Sequence, residues 1–128
     1  MSPRRAIVSA LMLLFVLVPA AGAAPSTDAR SEIDHLLAVV NDSGCEFNRN
    51  GAWYDSKMAH AHLRNKYEYL LVINVVSTAE DFIEKVATDS SFSGQPYEMR
   101  CDGGPAMASG PWLYRELARF REHGMTPR

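Results

Sequence analysis

The sequence predicts an α+β fold, mostly α, in which about four helices accompany a small antiparallel hairpin or sheet cross-linked by one disulfide. Three observations predict it. Apolar residues recur at helical spacing in several separate stretches. Asn50-Gly51 lies between two short aromatic-bearing runs, and this dipeptide favours a hairpin because both residues accept positive φ. Two cysteines, Cys45 and Cys101, stand in a chain whose first residues read as an export signal.

In chain order, residues 26–44 read as the first helix. Ser26 or Thr27 caps it and Asp28 lies in its first turn, where the helix dipole favours a negative charge. Ile33, Leu36, Leu37 and Val40 share one face, His35 borders that face, and Gly44 supplies a left-handed residue at the end. Residues 45–54 form the hairpin. Asp55 or Ser56 caps a second helix with the stripe Ala59, Leu63, Tyr67 and Leu70, flanked by His62, Lys66 and Tyr69. The run LLVINVV, residues 70–76, is apolar all round; length and context make it the end of that helix rather than a buried strand.

Ser77-Thr78-Ala79-Glu80 reads as a capping box opening a third helix to about Thr88, with Phe82, Ile83 and Val86 inward. DSSFSG is a polar turn, Pro96 to Cys101 a short edge strand, and DGGPAMASG a loop. Pro111 suits a first helical position. Trp112, Leu113, Leu117 and Phe120 give a final amphipathic helix ended by Gly124.

The N-terminus sets the compartment. Arg4 and Arg5 precede the uncharged run AIVSALMLLFVLV and the small-residue segment PAAGAAP, the three parts of a secretory signal. That run is shorter than the ~20 apolar residues of a bilayer span. Cleavage after Ala23 fits the small-residue rule, with residues 1–23 removed and 24–128 forming one small globular domain. The cysteines lie too far downstream for a lipoprotein. The mature chain keeps 11 basic and 15 acidic residues, net −4, without a basic run. That balance gives no case for nucleic acid, and no later segment is long enough to span a membrane.

In an oxidising compartment two cysteines allow one internal pairing, Cys45 with Cys101, closing a 56-residue loop. Chain entropy makes such a link worth about 4 kcal/mol. The competing reading, a redox or nucleophilic thiol, has no CxxC and no histidine beside either cysteine.

The motif search is mostly negative: GxSxG, HExxH, P-loop and dinucleotide glycine patterns are all absent. His60 and His62 point about 160° apart on a helix, and His35 and His123 add no ligand spacing, so neither metal nor organic cofactor is expected. His62 with Lys66 and Tyr69 is the constellation suited to acid–base work, weighed against an ordinary solvated helix flank. Aromatics serve first as core area and second as recognition surface beside arginine. The candidate binding residues are Arg49, Asn50, His62, Lys66, Tyr69 and Tyr97. Val72 and Val76 are expected to share a stripe of LLVINVV, which either offers Leu71–Val76 for self-association or a partner or is covered as core by a neighbouring helix such as the C-terminal one with Trp112 and Phe120.

The segments EIDHLL, SGCEFNRNGAWYD, HLRNKYEYL, STAEDFIEK, SGQPYEMRC and WLYREL, in this order, resemble the small exported proteobacterial proteins grouped with YfeK. The resemblance spans nearly the whole chain after Ala23. It implies a bacterial exported domain, cysteines paired at these two places, and no established activity or cofactor. The chain departs from that family's usual polar residues at LLVINVV. Together these readings point to a periplasmic, non-catalytic interaction or ligand-binding domain, with an envelope protein or small ligand as partner. The alternatives are a small hydrolase-like envelope enzyme using His62 with Lys66 or Tyr69, and a structural or stress-related envelope protein.

Overall fold

The computed structural model describes residues 10–14 and 24–124. Most of the expected signal segment therefore lies outside the described residues. Eight elements follow one another: α1 (Thr27–Asp42), β1 (Glu46–Arg49), β2 (Ala52–Tyr54), α2 (Ser56–Val72), α3 (Ala79–Lys85), β3 (Glu98–Arg100), β4 (Met107–Ala108) and α4 (Ser109–Gly124). The strands make one antiparallel sheet in the order β2-β1-β3-β4. The α+β class is as the sequence predicts.

Helix caps are local chemistry. Ser26 accepts the Ala29 N–H at the start of α1, and Asp55 accepts the Met58 N–H at the start of α2. Thr78 accepts the Asp81 N–H, and Asp81 reaches back to the Ser77 N–H at 3.0 Å. The box is thus Thr78 with Asp81, one residue later than Ser77 with Glu80. The third helix is also shorter than its apolar pattern suggests. It stops at Lys85, and the Thr88 hydroxyl donates to the Ile83 carbonyl, which also accepts the Ala87 N–H.

Inward faces meet in one core. Ile33, Leu36, Leu37 and Val40 of α1 pack with Leu63 and Tyr67 of α2, Phe82 and Ile83 of α3, and Leu113 and Leu117 of α4. The sheet contributes Phe47 and Met99, which lie opposite each other across β1 and β3. At the surface, Arg121 of α4 meets Glu32 of α1 at 2.5 Å and Glu80 of α3 at 2.6 Å, tying three helices together. His35 stacks on Phe120 between α1 and α4, as befits a residue at the border of the apolar face.

The cross-link joins Cys45 and Cys101, with Cα atoms 4.4 Å apart, where β1 begins and β3 ends. It continues the β1–β3 ladder by one residue on each strand, since Glu46 pairs with Arg100.

Two further expectations change. Residues 96–101 do not form an edge strand: β3 lies inside the sheet, because Met107–Ala108, in the segment read as a loop, pairs along its free side. The run LLVINVV does not continue α2 to Val76. Asn74 adopts φ +59°, the Val75 N–H bonds to the Leu70 carbonyl and the Asn74 N–H to the Leu71 carbonyl. This is a Schellman cap with asparagine in the left-handed position, and it ends the helix at Val72. The chain then turns inward. Val76 is 1% exposed and belongs to the core, while Val72 is 79% exposed, so the two share no stripe. Any surface offered by this run is confined to its helical end and cap, Val72 and Ile73.

The two valines therefore answer differently to charge. Val76→Lys places an unpaired ammonium in the core and should cost several kcal/mol. Val72→Lys should shift stability by no more than ~0.5 kcal/mol. Urea titration of both variants measures the difference, and equal losses would contradict the buried turn.

A candidate ligand cavity with a cationic rim

Period-two alternation along the strands builds one wall of the site. Phe47 faces the core, so Arg49, two residues on, faces the same side at the end of β1. Tyr54 pairs with Phe47 across the hairpin and shares that face, placing its ring 5.2 Å from the Arg49 guanidinium carbon. Met99 is buried from β3, and Tyr97, two residues before it, is likewise inward. The Tyr97 backbone is held on both sides: its N–H bonds to the Thr88 carbonyl and its carbonyl accepts the Ser109 N–H. Gly110 packs so closely on Thr88 that a Cβ there would lie 2.9 Å from the threonine hydroxyl. The start of α4 thus seats directly on the end of the α3 segment.

Helix α2 supplies the facing wall. Met58, His62 and Asn65 follow helical spacing, with Ala59 and Leu63 beside them. Between these walls lies a half-open cavity of about 270 Å³, just under the ~300 Å³ at which drug-sized pockets begin. Its apolar surface comes from Val40, Phe47, Ala59, Leu63, Ala87 and Leu113, and Arg49, His62 and Tyr97 supply polar groups to the same cavity.

The polar groups form a chain. Arg49 Nη1 lies 2.5 Å from His62 Nδ1, and His62 Nε2 lies 3.1 Å from the Tyr97 hydroxyl. The same Nη1 lies 3.2 Å from Nε2; because a guanidinium only donates, the shorter contact assigns the lone pair to Nδ1 and the proton to Nε2. Tyr97 accepts from His62 and, at 3.4 Å, from Lys66, whose ammonium also donates to the Asp89 carbonyl at 2.8 Å. With its oxygen accepting twice, Tyr97 has its own proton left for an acceptor in the cavity. Burial lowers the His62 pKa, and the positive charges of Arg49 and Lys66 lower it further. Burial also lowers the Lys66 pKa, against the pull of Asp89, and raises that of Tyr97. The arrangement favours neutral histidine and neutral phenol between two cations. Both ring nitrogens of His62 are engaged, so the ring has no free lone pair with which to activate a nucleophile.

Arg49, His62, Lys66 and Tyr97, all singled out in the sequence, come together here. Asn50 does not line the cavity. It occupies the hairpin turn at φ +52°, donates to the Ser90 hydroxyl and accepts from Ser93 at 2.5 Å, pinning the loop between α3 and β3. Tyr69 is 65% exposed and does not line the cavity, whose α2 residues run from Met58 to Asn65. Tyr54, Met58 and Asn65 are added by the structure; the alternation from Phe47 and the spacing around His62 carry their signal. The Asp89 carbonyl has no such signal, since a loop places it. Among the described residues no group of three histidine, cysteine, aspartate or glutamate side chains could hold a metal ion, and no helix is long and apolar enough to cross a membrane.

Fold and site together define a small disulfide-linked α+β domain with a donor-rimmed cavity between its second helix and its sheet. The chain belongs to a family of unknown function, DUF5329, whose pattern matches residues 27–121. It is 36% identical over 92 residues to the uncharacterized protein YfeK of Salmonella typhimurium, covering 71% of this chain and 74% of that protein. No solved structure matches it.

His62 links the site to pH. The folded pKa lies below the ordinary histidine value of 6.5, so between the two values the unfolded chain binds more protons. The His62 contribution to stability is complete above 6.5 and is lost as pH falls through the folded value. Urea midpoints should therefore fall between about pH 7 and pH 5 in the wild-type protein, and fall less in His62→Gln. Parallel pH profiles would remove His62 as the cause.

Proposed function

We propose that this chain is an exported, non-catalytic binding domain of the bacterial envelope, taking a small ligand into the cavity between α2 and the sheet. One observation carries the binding reading: an apolar, half-open cavity joined by convergent donors, the usual form of a small-molecule site. The saturated hydrogen bonding of His62 supports binding over catalysis. Export is supported by the N-terminal pattern of Arg4, Arg5 and the apolar run, and by the disulfide, which suits an oxidising compartment.

Indole, a neutral probe of matching size, should perturb the Leu63 and Leu113 methyl resonances of the folded domain. Ala59→Leu, which puts side-chain volume into the cavity from a helical position, should weaken that binding at least tenfold. Its melting temperature should not fall by more than a few degrees, because the added methyls enter existing space. Unaltered indole binding in the variant would place the ligand elsewhere. For export, protein recovered from the periplasm should begin at Ala24 by intact mass; retention of Met1 on all of it would refute a cleaved leader.

A further inference from the structure

The polar groups of the cavity select by charge as well as by shape. Arg64, Arg100, Arg119 and Arg121 each meet a carboxylate. Arg49 is half-buried and has none among the described residues; its contacts are the His62 ring and the face of Tyr54. A guanidinium partly removed from water without a counter-ion is a costly arrangement that an anion would relieve. No aspartate or glutamate side chain lines the cavity among the described residues, so no carboxylate there would pair with a cationic ligand. The Tyr97 proton offers a second donor to the same anion. Lys66 is already committed to the Asp89 carbonyl and does not line the cavity, so Arg49 is the charged group that the cavity wall presents.

We propose, resting on the binding reading above, that the occupant is a small amphipathic monocarboxylate, such as a medium-chain alkanoate or an arylalkanoate. Its carboxylate lies against Arg49 and the Tyr97 hydroxyl, and its apolar body covers Val40, Leu63 and Leu113. Size agrees with this. At roughly 30 Å³ per water-sized group, a cavity of about 270 Å³ holds about nine non-hydrogen atoms, which matches a chain of six to eight carbons with its head group. Phosphate and sulfate esters, which carry more acceptor oxygens, would find few donors beyond these two. A planar two-oxygen head group matches a guanidinium edge beside one hydroxyl.

The test compares octanoate, 1-octanol, octylamine and acetate by isothermal titration at constant pH and ionic strength. Octanoate should bind at least tenfold more tightly than 1-octanol. Octylamine and acetate should show no measurable binding, the first for its charge and the second for want of an apolar body. Arg49→Met keeps the aliphatic stem and should abolish the preference for octanoate while leaving 1-octanol affinity within twofold. Tyr97→Phe should reduce octanoate affinity several-fold with little effect on 1-octanol. Equal binding of octanoate and 1-octanol by the wild-type protein, or a preference for octylamine, overturns the carboxylate assignment and leaves the binding reading standing. Failure of octanoate, 1-octanol and indole alike overturns both. An apolar tripeptide with a free C-terminus binding more than tenfold tighter than octanoate would identify a chain end as the occupant and overturn the free-acid proposal. The comparisons on wild-type protein decide the question even if a variant fails to fold.

Discussion

Everything in this domain that is not local depends on the pairing of β1 with β3, secured by the Cys45–Cys101 bond. The two strands are separated by about half the chain, and closing so long a loop is entropically unfavourable before any contact forms. The disulfide removes much of that cost by restricting the unfolded chain, about 4 kcal/mol in the entropic account. In a domain whose total stability is on the order of 5–15 kcal/mol, that is a large share. The ladder then fixes Phe47 against Met99. Alternation does the rest: two residues from each of that pair, on the same face, are Arg49 and Tyr97.

The site is therefore a by-product of core packing extended past the core's edge. Residues that follow period two inward from Phe47 and Met99 run out of apolar neighbours, and the side chains there become an arginine and a tyrosine. Helix α2 faces them with the histidine at the same depth. Ser109 and Gly110 close the base by seating α4 on the end of α3, the serine hydroxyl donating to the Ala87 carbonyl at 2.7 Å. The cavity exists because small residues, Ala59 and Ala87, stand where larger ones would fill it.

Much of this is legible in the sequence, for identifiable reasons. Helix starts are written in single residues, Ser26, Asp55 and Thr78, because a cap is a bond within one turn. The hairpin is written in Asn50-Gly51, and the disulfide in having only two cysteines. What is not legible is where apolar runs stop. LLVINVV satisfies a helix at every position, and only the left-handed Asn74 ends it; asparagine takes that conformation often enough to allow the turn and too seldom to announce it. Strand β4 is two residues long and carries no periodicity of its own; its partner strand defines it. The same limit applies to the site. Arg49, His62, Lys66 and Tyr97 are visible as chemistry, but their convergence follows from a pairing across about fifty residues.

The floor of the cavity is also the centre of the molecule. Val40, Leu63 and Leu113 belong to the buried cluster that joins the helices, and the same three side chains face the cavity. Occupancy of the cavity by the proposed ligand would therefore be linked to folding. A ligand present at one hundred times its dissociation constant would add about 2.7 kcal/mol to the folded state, a large fraction of what holds so small a domain together. Wherever proteases attack opened chains, a molecule built this way would persist longer when the proposed ligand is abundant. Its abundance would then track the chemistry of its surroundings without any change in synthesis.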